Sequence, residues 1–140
     1  MKLLLSIDES RFSEAATQAV IAQFQPQGTE IKVLNVVDLP LPIPTSDAAG
    51  FRELSLKHGQ ELVQKAERAL NQAGYKTQTA VEEGDPKSKI IDQATQWNAD
   101  LIVLGSHGRK GFDRFLLGSV SESVSRHASC SVEIVRLPGT

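Results

Sequence analysis

The sequence predicts a three-layer α/β sandwich built on a five-stranded parallel sheet of order 3-2-1-4-5. Three observations carry that reading. Short apolar runs alternate with amphipathic segments along the chain, the pattern of parallel strands joined by right-handed helical crossovers. The most uniformly apolar runs, Leu3–Ile7 and Leu101–Leu104, suit central strands covered on both faces. The second of them ends in a glycine loop that leads to a helix start, and such loops lie where the winding of an open sheet reverses. Strands one and four therefore flank the reversal.

The elements follow in order. Lys2–Ile7 reads as the first strand, and Ser10 is well placed to cap the helix after it. In that helix Phe12, Ala15, Ala16, Ala19, Val20 and Phe24 share a face. Ile31–Val37 is the second strand. Asp38–Gly50, with Pro40, Pro42 and Pro44, shows no period and reads as a surface connection or a flap over the strand ends. Leu62, Ala66, Ala69, Leu70 and Ala73 form the stripe of the second helix, which Gly74 stops. Lys76–Glu82 is a more polar strand and belongs at an edge. Asp85-Pro86 reads as an N-cap followed by proline at the first helical position, with Ile90, Ile91, Ala94 and Trp97 on the apolar side. After the fourth strand, Val120, Val124 and Ala128 give the fourth helix its buried side, and Ser131–Val135 is the last strand.

Composition narrows the function. A chain of 140 residues is expected to form one domain over 1–140, and 40% hydrophobic residues with a net charge of −2 is ordinary globular composition. A nucleic-acid partner is not expected, because the global basic excess such binders carry is missing. Cys130 is the one cysteine and reads as a small apolar residue beside the last strand. The N-terminal apolar run meets Ser6 and Asp8 too early for a signal-peptide core, and no stretch approaches the roughly 18 apolar residues of a membrane span. A cytoplasmic protein without membrane insertion is the expectation.

The chemistry concentrates between Leu101 and Ser121. Gly105-Ser106-His107-Gly108 follows the strand, and nine residues separate Gly108 from Gly118-Ser119. Glycines at a strand exit let backbone N–H groups approach an anion, and the helix start adds unpaired donors and the positive end of a dipole. A phosphate is the expected occupant. Ser119-Val120-Ser121-Glu122 also matches a capping box, so Ser119 reads as a helix cap, a phosphate ligand, or each in turn. Arg109, Lys110 and Arg114 place positive charge in the intervening span, partly offset by Asp113. Asp8, at the end of the first strand, reads as an acceptor for ribose hydroxyls or adenine-side donors, or as a cap for the helix starting near Ser10; Ser10 is the better-placed N-cap, which favours the ligand role. His107 has no nucleophile and acidic orienter beside it in sequence, which favours loop structure or ligand packing over a general base. His58 and His127 lie on helical segments, and no histidine or cysteine pair has metal-ligand spacing.

Gly105-x-x-Gly108-x9-Gly118-Ser119 together with Asp8 resembles the ATP-binding branch of the universal stress protein family, over essentially Lys2 to Arg136. The resemblance implies an adenine nucleotide alpha hydrolase-like fold and ATP or AMP as ligand, with Mg²⁺ or Mn²⁺ arriving only through the phosphates. It implies that Ser6, Ile7 and Asp8 line the adenosine end and that Val36 faces adenine through its backbone. Gly105, Ser106, His107, Gly108 and Arg109 would wrap the ribose and phosphates, and Gly118, Ser119, Val120 and Ser121 would hold the phosphates. It further implies a homodimer through the last strand, Ser131–Arg136, and a regulatory protein partner of unknown identity. Val132, Ile134 and Val135 support the dimer independently, because an apolar edge strand guarded by Glu133 alone tends to be paired. Ser6, Glu9 and Asn35 depart from the family's frequent proline or valine, glycine and histidine.

Four functions compete at this point. The leading one is a nucleotide-binding regulatory switch or sensor of the stress response. A slow ATPase or autophosphorylating enzyme would use Ser119 or Ser121 near the γ-phosphate, with Arg109 and Lys110 neutralising charge. A phospho-acceptor receiver domain fails because the third strand ends in Glu82-Glu83-Gly84-Asp85 and Arg136 stands where a lysine is needed. A nucleotide-independent structural dimer remains if the glycines serve only tight packing.

Overall fold

Alternation along the first strand, β1 (Lys2–Ser6), divides the interior into two cores. Leu3 and Leu5 face one side and Leu4 the other, all fully buried. Burying each such side chain contributes about 2 kcal/mol. The computed structural model describes residues 1–39, 47–108 and 116–137. Its further elements are α1 (Arg11–Gln23), β2 (Glu30–Val37), α2 (Ala48–Gln72), β3 (Lys76–Glu83), α3 (Pro86–Trp97), β4 (Leu101–Gly105), α4 (Ser119–His127) and β5 (Ser131–Val135).

The five strands are all parallel and lie in the order β3-β2-β1-β4-β5. In register, Leu4 of β1 stands between Lys32 of β2 and Ile102 of β4. Ala16 and Val20 of α1 with Val63, Ala66 and Leu70 of α2 cover the face of Leu3 and Leu5. Ile90 and Ala94 of α3 with Val124 of α4 cover the face of Leu4. Three layers result, with β1 and β4 central and the polar β3 at an edge, as the sequence predicts.

Helix ends explain where each segment turns back. Gly74, at φ 95°, closes α2: its N–H donates to Asn71 O at 3.0 Å and the N–H of Tyr75 to Leu70 O at 3.0 Å. Asn98, at φ 58°, ends α3 in the left-handed region. Pro86 opens α3 as expected, while Asp85 makes no side-chain cap and its carboxylate accepts from Ser88 Oγ instead.

The largest departure from the sequence reading is α2. Its predicted stripe starts at Leu62, yet the helix starts at Ala48, with the Asp47 carboxylate accepting from Gly50 N at 3.0 Å. The proposed connection Asp38–Gly50 therefore ends in the first helical turn, while its residues 40–46 lie outside those described. Up to Lys57 the helix has no buried residue, with Leu54 69% exposed, so no apolar stripe marks that half. Burial against the sheet begins at Gly59, where a Cβ would stand 2.6 Å from Asn35 Oδ1; before it, Arg52 reaches the edge strand only through an exposed ion pair with Glu83 at 2.7 Å. No helix among the described residues is long and apolar enough to cross a membrane.

Candidate functional site

The carboxyl ends of β1 and β4 diverge into helices on opposite faces of the sheet, which opens a crevice between them. Its volume is about 100 Å³. Nine of the residues singled out in the sequence line it: Ser6, Ile7 and Asp8 from β1 and its exit, Val36 from β2, Gly105, His107 and Gly108 from β4 and its loop, and Val120 and Ser121 from α4. Four more line it that sequence reasoning missed: Ser13, Pro86, Ile90 and Leu104. Pro86 and Ile90 were legible as the start and apolar side of a helix, but only the topology brings that helix to the crevice.

The glycines fit the loop to its surroundings. A Cβ on Gly105 would stand 2.6 Å from Phe12 Cβ and 3.0 Å from the Phe12 carbonyl. On Gly108 it would stand 3.1 Å from Asp8 Oδ2, and on Gly118 3.0 Å from His107 Cα. None of the three has a positive φ, so close approach and not backbone freedom calls for glycine here.

Helix α4 begins differently from the predicted capping box. Gly118 is the N-cap residue; its carbonyl accepts from Glu122 N at 2.9 Å, and its own N–H donates to Ser106 O at 2.8 Å. That bond fixes the start one residue earlier than the box requires. Ser119 thus becomes the first helical residue, exposed, and makes no side-chain cap. Ser121 Oγ turns inward and donates to Ser106 O at 2.7 Å. The backbone N–H groups of Ser119, Val120 and Ser121 stay outside the helical ladder and uncapped; Val120 and Ser121 line the crevice, whereas Gly118 and Ser119 do not.

Ser106 is buried beneath the crevice, not in its lining. Its hydroxyl lies 3.0 Å from His107 Nδ1. The His107 ring is 7% exposed and packs on Phe12 with centroids 5.2 Å apart. Its Nε2 is buried without a hydrogen-bond partner, alone in this among the described side-chain atoms. Such an orphan is unusual enough to call for an occupant.

Asp8 is held at one oxygen. Oδ1 accepts from Ser10 N at 2.8 Å and from Ser13 Oγ at 2.9 Å, an Asx turn that leads into α1. Ser10 is the N-cap, as expected. Next to Asp8, the Glu9 carboxylate meets His58 Nε2 of α2 at 2.9 Å. Arg109, Lys110, Asp113 and Arg114 lie outside the described residues. Cys130, not in the crevice lining, is partly buried against the α3/α4 core, and desolvation pushes its thiol pKa up. Among the described residues no group of three or more histidine, cysteine, aspartate or glutamate side chains is placed to hold a metal ion.

A parallel sheet wound 3-2-1-4-5, with a glycine loop, a strand-end carboxylate and an uncapped helix start around its reversal point, defines an α/β protein of the switch-point class. The chain belongs to the universal stress protein family, whose model matches residues 1–136. It is 34% identical to a universal stress protein of Methanocaldococcus jannaschii, over 98% of this chain and 82% of that protein. The solved structure of universal stress protein UspA from Lactobacillus plantarum is 27% identical, covers 97% of both chains and superposes with a TM-score of 0.81. A universal stress protein family member from Arabidopsis thaliana, solved with AMP bound, shares the fold at a TM-score of 0.76 and 18% identity, over 99% of this chain and 93% of that one.

Proposed function

We propose that residues 1–140 act as one adenine-nucleotide-binding domain, a regulatory protein of the stress response that takes ATP or AMP in the crevice between β1 and β4. One observation carries this reading: Asp8, the Gly105–Gly108 loop and the uncapped N–H groups of α4 converge on the same opening. Those groups fit a nucleotide. The α4 donors suit phosphate oxygens, and the orphaned His107 Nε2 offers a further polar contact. A nearby carboxylate oxygen accepts from a hydroxyl, and Ile7, Val36 and Ile90 supply apolar walls for a base. Arg109 completes the phosphate end, and Mg²⁺ or Mn²⁺ comes with the phosphates.

Thermal unfolding with and without ATP, AMP and Mg²⁺ tests it. A ligand at a hundred times its dissociation constant stabilises the native state by about 2.7 kcal/mol, so the midpoint should rise by several degrees. An unchanged midpoint at millimolar nucleotide contradicts the proposal.

The same reading includes a homodimer through β5. Among the described strands β5 pairs with β4 alone, and its other edge is built from half-buried Val132, Ile134 and Val135. Light scattering should return twice the chain mass at tens of micromolar. A monomer there removes the dimer from the account.

One observation favours a second reading, a nucleotide-independent structural protein. Each of Gly105, Gly108 and Gly118 meets a neighbour that excludes or crowds a Cβ, so packing alone gives the glycine pattern a purpose. An unchanged thermal midpoint with every nucleotide would select that reading.

A further inference from the structure

We propose that Ser13 is the positioning residue of the crevice, holding the Asp8 carboxylate so that Oδ2 alone faces the ligand. The inference rests on the crevice being the nucleotide site and adds a residue that neither the glycine motif nor the strand ends include. Ser13 sits on the inward stripe of α1 with Ala16, Thr17 and Val20, and is 7% exposed. A polar side chain on a buried stripe needs partners, and Ser13 finds both on Asp8. Its Oγ accepts from Asp8 N at 2.7 Å and donates to Asp8 Oδ1 at 2.9 Å. Its own backbone is tied into α1, with its N–H donating to Ser10 O at 3.1 Å and its carbonyl accepting from Thr17 Oγ1 at 3.0 Å.

The consequence is directional. A carboxylate is planar, so two donors on Oδ1, from Ser10 N and Ser13 Oγ, fix its plane and turn Oδ2 to the opposite side. There Oδ2 lies 3.1 Å from the point a Gly108 Cβ would occupy, which places it against the glycine loop. An ionised carboxylate oxygen only accepts, so the ligand atom that meets it must carry a proton, as a ribose hydroxyl does. Without the Ser13 hydroxyl the carboxylate keeps one anchor and rotates, and the ordering that Ser13 supplies in advance must come from binding.

A double-mutant cycle read by calorimetric titration with AMP tests this. Ser13→Ala should weaken AMP binding about tenfold, the size of one hydrogen bond to a charged group. In an Asp8→Ala background the same change should matter by less than about twofold, because the group being positioned is gone. Ser13→Thr keeps the hydroxyl and should bind within about threefold of wild type. Ser13 also lines the groove of about 240 Å³ between α1 and α2. If Ser13→Ala does not fold, Ser13→Cys, with a weaker donor of similar size, should bind several-fold more weakly than Ser13→Thr. Equal losses in both backgrounds, or no loss in either Ser13→Ala or Ser13→Cys, overturn the positioning role and leave the nucleotide site standing. A wild-type protein that does not bind AMP or ATP overturns both.

Discussion

Gly105→Ala is expected to destabilise the fold by about 3 kcal/mol, at the upper end of what overpacking a core costs. The new Cβ meets Phe12 at 2.6 Å from its Cβ and 3.0 Å from its carbonyl carbon and oxygen. Two of those atoms are backbone and cannot rotate away, so α1 must lift from the end of β4. That movement also loosens the contact between Phe12 and His107. For a domain of this size the melting midpoint should fall by roughly 10 °C, and the denaturant midpoint should drop with its slope unchanged. A variant within about 0.5 kcal/mol of wild type would show that the strand exit has slack that the geometry does not reveal.

Asp8→Asn should leave the fold nearly intact and reduce ATP and AMP binding by a factor of ten to about a hundred. An asparagine forms the same turn, its Oδ1 accepting from Ser10 N and Ser13 Oγ as the aspartate does. The amide nitrogen then replaces Oδ2 beside Gly108. An acceptor becomes a donor at a point where the ligand also brings a donor, and the negative charge is lost. Stability should stay within about 1 kcal/mol, the scale of one charge near a helix start. Chemical denaturation separates the two effects from one protein preparation. Binding as tight as wild type would remove Asp8 from the site.

Sequence and structure diverge where helical periodicity is not backed by burial. Leu3–Leu5 and Ile102–Leu104 are apolar because helices cover both faces of the central strands, so their position could be read directly. The same logic hid the first half of α2. A helix reveals itself through a buried stripe, and from Ala48 to Lys57 no residue is buried.

Within the site, the strand-end and loop residues were legible because the glycine spacing and the winding rule point to one place. The Ser-x-x-Glu pattern allows Ser119 a cap role beside a phosphate contact, and the structure removes the cap, since Gly118 is held by Ser106 O and sets the helix start one residue earlier. Ser13, Pro86, Ile90 and Leu104 could not be assigned to a crevice from one-dimensional pattern, although a serine on the inward stripe of α1 is a signal that would have found the first of them. The glycines also carry a demand that their spacing does not announce. The sequence reads them as making room for an anion, and the structure shows each making room for a neighbouring protein group as well. Both demands fall on the same residues, which is why a bulky Gly118 variant would confound loss of binding with loss of packing against His107.

The most direct test of the nucleotide site is calorimetric titration of the folded wild-type chain with ATP and with AMP, with and without Mg²⁺, beside Asp8→Asn. Saturable one-site binding at micromolar affinity that Asp8→Asn weakens at least tenfold, with both proteins melting alike, is the predicted result. A cooperatively folded wild type that releases no binding heat with either nucleotide at two temperatures would contradict it, and would leave the glycine loop as a packing device of a nucleotide-independent protein.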